Sequence, residues 1–285
     1  MMTHEIDPER LPALRRRMIW TLFAVSALGA TGYIAAVTAG TLVAAELAGT
    51  ASAGGLPTTV TTLGTAASAS LLSLLMLRAG RRPGVLAGIA VGASGGAIAF
   101  AGVLAGSIPI FLAGSALTGF SNGAAQLGRY IASDLSTPER RARTIATVVW
   151  GTTIGAVAGP NLVAPAGVVA TQLGLPPLAG AYLLTVAFVG LALLIAFAFL
   201  RPEPYRLADP SALRQREQTQ ERASLGTLLQ HPSVGVALVS LVGGQVVMVL
   251  IMTMTPLHLR DHGDRLGHPA VVADPGPRVD RVEQA

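Results

Sequence analysis

The sequence predicts an all-α integral membrane protein, and composition, long apolar runs and the placement of arginine each support this fold class. Of the 285 residues, 51% are hydrophobic and only 12% are charged, and the mean hydropathy is +0.58. Soluble domains carry about 25% charged residues. So low a share of charge is typical of a chain embedded in lipid.

Seven apolar segments are long enough to cross a hydrocarbon core of about 30 Å, which takes about 20 helical residues. In chain order they cover approximately residues 18–45, 55–77, 84–106, 108–133, 144–170, 178–200 and 234–255. Only a few residues around Ser107 separate the third segment from the fourth, which predicts a tight hairpin. We therefore expect seven transmembrane helices.

The loops between these segments alternate between arginine-rich and arginine-free. Arginine precedes the first segment and lies in the loops after the second, fourth and sixth, whereas the loops after the first, third and fifth contain none. Basic loops stay in the cytoplasm. The pattern therefore predicts a multi-pass protein of the cell membrane with a cytoplasmic N-terminus (1–17), a cytoplasmic linker (201–233) and an extracytoplasmic tail (256–285).

The residue types that are missing exclude several classes of site. The absence of cysteine excludes disulfides and thiolate metal sites, and the absence of lysine excludes retinal or pyridoxal phosphate held as a Schiff base. The sequence shows no catalytic module and no phosphate-binding loop, so we expect neither an enzyme nor a cofactor or metal site. The isoelectric point of about 10.6 comes from arginines in short loops, where they set topology rather than bind nucleic acid.

The linker and the tail carry weaker patterns. Asp209 followed by Pro210 is typical of a helix start and predicts a short helix over about 210–228, either a solvated surface helix or a partner site. His258 and His262 are four residues apart, a spacing that suits metal ligands on a helix. The surrounding proline and glycine favour a disordered tail instead.

Segment 5 contains three glycines spaced four residues apart, Gly151, Gly155 and Gly159, followed by Pro160. Residues at this spacing lie on one face of a helix. In water each glycine costs a helix about 1 kcal/mol, whereas in lipid such a strip allows a neighbouring helix to approach its backbone. We predict a packing strip, with Pro160 as a place where the helix bends.

Segment 4 has the clearest polar face. Its polar and small residues follow at spacings of four and three, which keeps them on one side of a helix: Ser115, Gly119, Asn122, Gln126 and Arg129. Polar groups in a membrane face a partner or a water-filled cavity. The face is therefore either the lining of a pathway or a set of helix–helix hydrogen bonds, and Arg129 either snorkels or pairs with Asp134.

Segments 1 and 2 add further polar groups to the predicted membrane interior. Ser26 and Tyr33 share one face of segment 1, and Thr58, Thr62 and Thr65 lie at helical spacing in segment 2. Threonines often bond to the preceding turn of their own helix, which favours a structural role for them. No Asp or Glu lies deep inside a segment, so the sequence shows no carboxylate relay of the kind that proton pumps use.

This layout resembles the major facilitator superfamily of secondary transporters. The stretch Arg78-Ala-Gly80-Arg81-Arg82, between segments 2 and 3, is similar to the end of that family's signature loop, although Ser73 and Leu77 stand where its glycine and aspartate are usual. The stretch from Gly155 to Pro160 is similar to a motif of the antiporter branch. The resemblance implies a six-helix N-terminal transporter half (18–200) plus a seventh transmembrane helix (234–255).

The resemblance also implies a function and roles for particular residues. The function is secondary active transport of a small solute by alternating access, with export as the favoured direction. The resemblance implies no cofactor. Besides the solute, the implied partners are a coupling ion and the lipid bilayer. The pathway residues would be Ser26, Tyr33, Ser115, Asn122 and Gln126. The cytoplasmic gate would be Arg78, Gly80, Arg81, Arg82, Arg129 and Asp134.

The family normally has twelve spans, and this chain has seven. The alternative is therefore a truncated or frame-shifted membrane fragment that inserts and self-associates but carries no flux. A seven-span sensor is a third interpretation, against which the family motifs argue. Neither the solute nor the coupling ion is predicted by the residues.

Overall fold

The computed structural model describes residues 11–137, 139–201 and 232–262, and every regular element in these ranges is helical. A short 3-10 turn, Ala51–Gly55, joins the first two helices. The seven helices are α1 Leu11–Ala48, α2 Leu56–Ala79, α3 Arg81–Leu104, α4 Ile108–Asp134, α5 Arg141–Gln172, α6 Ala179–Phe199 and α7 Pro232–His262. Each predicted apolar segment coincides with one of them, so the all-α prediction is confirmed.

Six of the described helices are long and apolar enough to cross a membrane: α1, α2 together with its preceding turn, α3, α5, α6 and α7. The remaining helix, α4, is 27 residues long but carries the polar residues given above for segment 4. Its amides and Arg129 lower its apolarity below that of its neighbours. A helix with this composition is suited to a position where other helices shield it from lipid.

The helices form a bundle with α1 and α4 at its centre. The most extensive contacts of α4 are with α3 and α2, and those of α1 are with α5 and α6. Helices α3 and α6 also contact each other, which closes one side of the bundle behind the central pair. By contrast, α7 has few contacts with the bundle, mainly with α1 and the short turn before α2, and its described side chains are largely exposed.

Glycines allow the central helices to approach each other at backbone distance. A Cβ added at Gly95 of α3 would lie 2.5 Å from the backbone nitrogen of Thr118 in α4, and one at Gly102 would lie 2.5 Å from that of Phe111. On the other side of α4, a Cβ at Gly119 would lie 2.7 Å from the backbone nitrogen of Thr65 in α2. Such close contacts replace the hydrophobic driving force that helices lack in lipid.

The glycine strip of α5 packs against α1 in the same way. A Cβ at Gly151 would lie 2.6 Å from the carbonyl oxygen of Phe23, and one at Gly155 would lie 2.6 Å from that of Ala27. At Gly159 the nearest atom would be the Thr31 carbonyl oxygen, at 2.9 Å. The strip therefore lies against α1, while Pro160 is exposed on the other side of α5.

Hydroxyl groups add hydrogen bonds across these close contacts. In α2, Thr61 donates to the carbonyl oxygen of Ser115 at 3.1 Å, and Thr65 donates to that of Gly119 at 3.1 Å. From α6, Tyr182 and Thr185 donate to carbonyl oxygens of α1, those of Ala36 at 3.1 Å and Gly32 at 2.8 Å. Each of these bonds ties a helix to the central pair.

The helix ends differ from the predicted ones in two places. Helix α1 begins at Leu11 rather than residue 18, so Arg15–Arg17 are helical. Helix α7 continues through Pro256 to His262 rather than ending at residue 255. A proline removes a single backbone hydrogen bond, a loss that neighbouring groups can offset in a membrane helix. The predicted helix at 210–228, the tail after residue 262 and the side chains of His258 and His262 lie outside the described residues.

Replacing Gly155 with leucine should destabilise the bundle because the side chain would collide with the backbone of α1. Overpacking of this kind costs about 1–3 kcal/mol, so the unfolding temperature in detergent should fall by several degrees. Gly190→Leu is the matched control, since a Cβ at Gly190 meets nothing within 4 Å. Equal unfolding temperatures for the two variants would contradict the close contact between α1 and α5.

Candidate functional site

Tyr33, Thr65 and Asn122 form a polar cluster where α1, α2 and α4 meet. The side chains of Thr65 and Asn122 lie beside the Tyr33 hydroxyl. Thr65 also donates to the carbonyl oxygens of Thr61 and Gly119, at 3.0 and 3.1 Å. All three residues of the cluster are half-buried. The structure thus brings together two of the predicted pathway residues, Tyr33 from α1 and Asn122 from α4, the two central helices.

Gln126 and Arg129 extend this cluster along α4. They lie about one and two helical turns beyond Asn122, so Arg129 is about 10 Å from it along the helix axis. Gln126 is exposed and Arg129 is half-buried. The Nε atom of Arg129 is buried and has no hydrogen-bond partner among the described residues. We call these five residues, Tyr33, Thr65, Asn122, Gln126 and Arg129, the polar face.

Ser26 and Ser115, which were also predicted to line a pathway, lie inside the bundle. Ser26 is 2% exposed and borders a small, mainly apolar cavity between α1, α3, α4 and α6. Ser115 is 4% exposed, donates to the carbonyl oxygen of Phe111 at 2.9 Å and lies beside the Tyr182 hydroxyl. Helical spacing places Ser115 on the same face of α4 as Asn122, but α2 and α6 close over that face at the level of Ser115.

An ion pair joins the beginning of α3 to the end of α4. Arg81 donates to the carboxylate of Asp134 at 2.7 Å, and the side chain of Asp134 is almost completely buried. The cation that the structure places on this carboxylate is Arg81, at the beginning of α3, whereas Arg129 lies five residues before Asp134 in α4. Gly80, with φ +101°, is the single residue between α2 and α3 and has the conformational freedom that this turn requires.

Other arginines bind the end of α6. Arg82 donates to the carbonyl oxygen of Phe197 at 3.1 Å, and the guanidinium groups of Arg82 and Arg201 lie 5.6 and 5.3 Å from the centre of the Phe197 ring. Arg17 of α1 donates to the carbonyl oxygen of Arg201. The last carbonyl groups of a helix have no partner within it and attract cations. Arginines from α1 and α3 therefore hold the end of α6, while Arg78 is exposed.

Sequence reasoning missed the hydroxyl groups that α6 presents to α1. Tyr182 is fully buried and also packs edge-to-face on Phe111, with the ring centres 5.3 Å apart. Thr185, three residues later, lies on the same side of the helix. The available signal was their isolation, since polar residues are rare in the strongly apolar segment 178–200. Buried hydroxyls in such a segment need a partner on a neighbouring helix.

Breaking the ion pair between Arg81, at the beginning of α3, and Asp134, at the end of α4, should destabilise the bundle. Arg81→Ala leaves the buried Asp134 carboxylate without its cation, which should lower the free energy of unfolding by about 3 kcal/mol. The double variant Arg81→Ala/Asp134→Ala should lose less than the sum of the two single changes, because the residues are coupled. Reversible unfolding in detergent measures both effects.

Arg78→Ala is the control for this cycle, because Arg78 is exposed at the same end of the bundle. It should unfold like the unaltered protein. Strict additivity of the single changes at Arg81 and Asp134 would show that the pair contributes nothing to stability.

Comparison with known proteins extends over most of the chain. Residues 19–273 match the family model described as Major Facilitator Superfamily. The chain is 34% identical over 272 residues to an uncharacterized MFS-type transporter, YdeG, of Bacillus subtilis strain 168, covering 92% of this chain and 61% of that protein. It is 30% identical over 271 residues to a second such transporter of that strain, YddS, covering 93% of this chain and 62% of YddS.

A third similar protein has a named substrate. The riboflavin transporter RfnT of Brucella anthropi is 30% identical over 258 residues, which cover 90% of this chain and 62% of RfnT. The chain thus spans about three fifths of the length of the curated relatives that it matches. From the match of the family model to residues 19–273, together with the helical bundle, it follows that this chain belongs to the Major Facilitator Superfamily of membrane transporters.

Proposed function

We propose that this protein takes part in the secondary active transport of a small solute across the cell membrane, and that the polar face lines one wall of the solute's path. The observation that carries this proposal is the exposure of Gln126 beside the half-buried Tyr33 and Asn122. An amide that faced hydrocarbon without a hydrogen bond would cost several kcal/mol. A water-filled path beside α4 removes that cost.

The alternative role for these residues is hydrogen bonding between helices. Ser115 is buried among α2, α4 and α6; its hydroxyl donates to the carbonyl oxygen of Phe111 in its own helix, and its carbonyl oxygen accepts from Thr61 of α2. Gln126 differs from it, since no neighbouring helix of the described bundle covers its side chain. We therefore assign Tyr33, Asn122 and Gln126 to the pathway, and Ser26 and Ser115 to packing.

The arginine-bearing end of the bundle is proposed as the cytoplasmic gate. The pair of Arg81 with Asp134 and the contacts of Arg82 with Phe197 lie at helix ends whose loops are rich in arginine. Basic loops favour the cytoplasmic side, which gives the chain a cytoplasmic N-terminus. Opening at this end would require these contacts to separate, and the short link at Gly80 would limit how far α2 and α3 move apart.

Alternating access needs a second wall opposite the polar face. In the family that wall belongs to a second set of helices, of which this chain supplies α7. The competing proposal is that the chain by itself is a membrane fragment without flux, and the sparse contacts of α7 with the bundle favour it. The transport proposal also includes coupling to an ion and self-association of the chain. Export is the direction to test first because of the resemblance at Gly155–Pro160.

Reconstitution separates the two proposals. Vesicles that contain only this purified chain should take up a solute saturably and in response to an imposed gradient if the chain transports. Riboflavin is the first solute to test, because one similar protein is named as its transporter. Flux equal to that of protein-free vesicles for every solute of a broad panel, with correctly inserted protein, would support the fragment.

If the chain transports, replacing Asn122 with alanine should lower transport of a hydrogen-bonding solute. Loss of one uncharged hydrogen bond costs about 0.5–1.5 kcal/mol, a 2- to 10-fold rise in the apparent KM. Asn161→Ala is the matched control, because Asn161 is an exposed amide of α5 that bonds to the carbonyl oxygen of Val157 in its own helix. Equal KM values for the two variants would remove Asn122 from the pathway.

A further inference from the structure

The charge of the polar face indicates which solutes it takes, provided that this face is the solute's path as proposed above. It combines hydroxyl and amide groups with the cation Arg129. The acidic side chains that the structure describes are Glu46, Asp134 and Glu139. None of these three belongs to the polar face, because Glu46 and Glu139 are exposed at the two ends of the bundle and Asp134 is bound by Arg81.

Arg129 is placed as a binding group rather than as a structural one. The other arginines described above pair with Asp134 or bind the end of α6. Arg129 lies five residues before the end of α4, and its Nε is buried with no hydrogen-bond partner among the described residues. The Nε atoms of Arg82 and Arg141 are in the same state, but Arg82 donates through Nη2 to the carbonyl oxygen of Phe197, and Arg141 has another interaction. A buried donor left without a partner costs about 1–3 kcal/mol, and more when it is charged. An anionic ligand would remove that cost.

We infer that the polar face binds a solute that carries a carboxylate or phosphate group, with the anionic group at Arg129 and a hydrogen-bonding end at Tyr33 and Asn122. The guanidinium group binds such oxygens through paired hydrogen bonds of fixed geometry. The distance of about 10 Å along α4 between Asn122 and Arg129 sets the length of a solute that reaches both ends, and a shorter anion occupies the Arg129 end alone. Cations are disfavoured because the face offers them no carboxylate.

A phospholipid headgroup would present the same oxygens as a soluble anion. The buried Nε places the base of the guanidinium group inside the bundle, on the side of α4 that carries Asn122, rather than at the lipid surface. We therefore assign the anionic group to the transported solute. The experiment includes an arm with lipid to separate the two sources.

Three probes that share a benzene ring test the inference in detergent free of phospholipid: benzoate, benzamide and benzylammonium. Benzoate should raise the unfolding temperature of the full chain by about 3 °C at 10-fold above its dissociation constant. Benzamide should bind about 10-fold more weakly, because it lacks the charge-assisted bonds to Arg129. Benzylammonium should produce no rise beyond that of an equal concentration of sodium chloride.

Variants assign the effect to Arg129. Arg129→Gln should abolish the preference for benzoate over benzamide, Arg129→Lys should restore part of it, and Arg78→Gln, at an exposed arginine, should leave it unchanged. Circular dichroism before heating shows whether each variant is folded. If Arg129→Gln does not fold, protection of Arg129 from phenylglyoxal by benzoate, read by mass spectrometry on the unaltered protein, replaces it.

The inference is overturned if benzoate stabilises no better than benzamide, if the preference persists in Arg129→Gln, or if benzoate fails to protect Arg129. It is also overturned if anionic phospholipid, added back at low mole fraction, displaces benzoate, since the site would then belong to a headgroup. Saturable uptake of a neutral or cationic solute in the vesicle experiment would leave the proposed function standing while overturning the charge preference. The two proposals therefore fail separately.

Discussion

Direct contact between helix backbones is the constraint on which the rest of this bundle depends. Lipid tails are as apolar as leucine, so burying leucine between helices gains little, and stability must come from close packing and hydrogen bonds. Glycines at the α3–α4, α2–α4 and α1–α5 contacts provide that approach. Once the backbones are this close, hydroxyls of α2 and α6 reach carbonyl oxygens of α4 and α1. Packing and hydrogen bonding thus depend on the same small residues.

The central position of α4 explains why a helix with so many polar groups belongs to a membrane bundle. The half nearer its N-terminus is covered by α2 and α6, where Ser115 and Thr118 are buried and bonded to their own helix. The half nearer its C-terminus opens beside Tyr33, and there Gln126 is exposed. One helix face therefore has two environments along its length. Only the open part is suited to contact a solute in water, since the buried part has no room for one.

The arginines also have two kinds of role. By composition they mark one side of the membrane, and in the structure several of them connect helices at that side. Arg81 binds Asp134, and Arg82 and Arg17 bind the end of α6. A cation near the end of a helix offsets the partial negative charge of its unpaired carbonyl groups. The arginines from which the topology is predicted thus hold α1, α3, α4 and α6 together, and Arg129 is the arginine to which we assign an anionic solute.

The sequence by itself determined that the chain is a helical membrane protein, where its helices lie apart from the beginning of α1 and the end of α7, and which residues share a face of α4. Helical periodicity and the length of apolar runs carry that information because both are local. Tertiary structure alone decided that Ser115 is covered while Asn122 meets Tyr33, that Asp134 pairs with Arg81, and that the strip at Gly155 faces α1. Periodicity gives the direction of a side chain on its own helix, whereas the partner opposite it depends on the packing of helices distant in sequence.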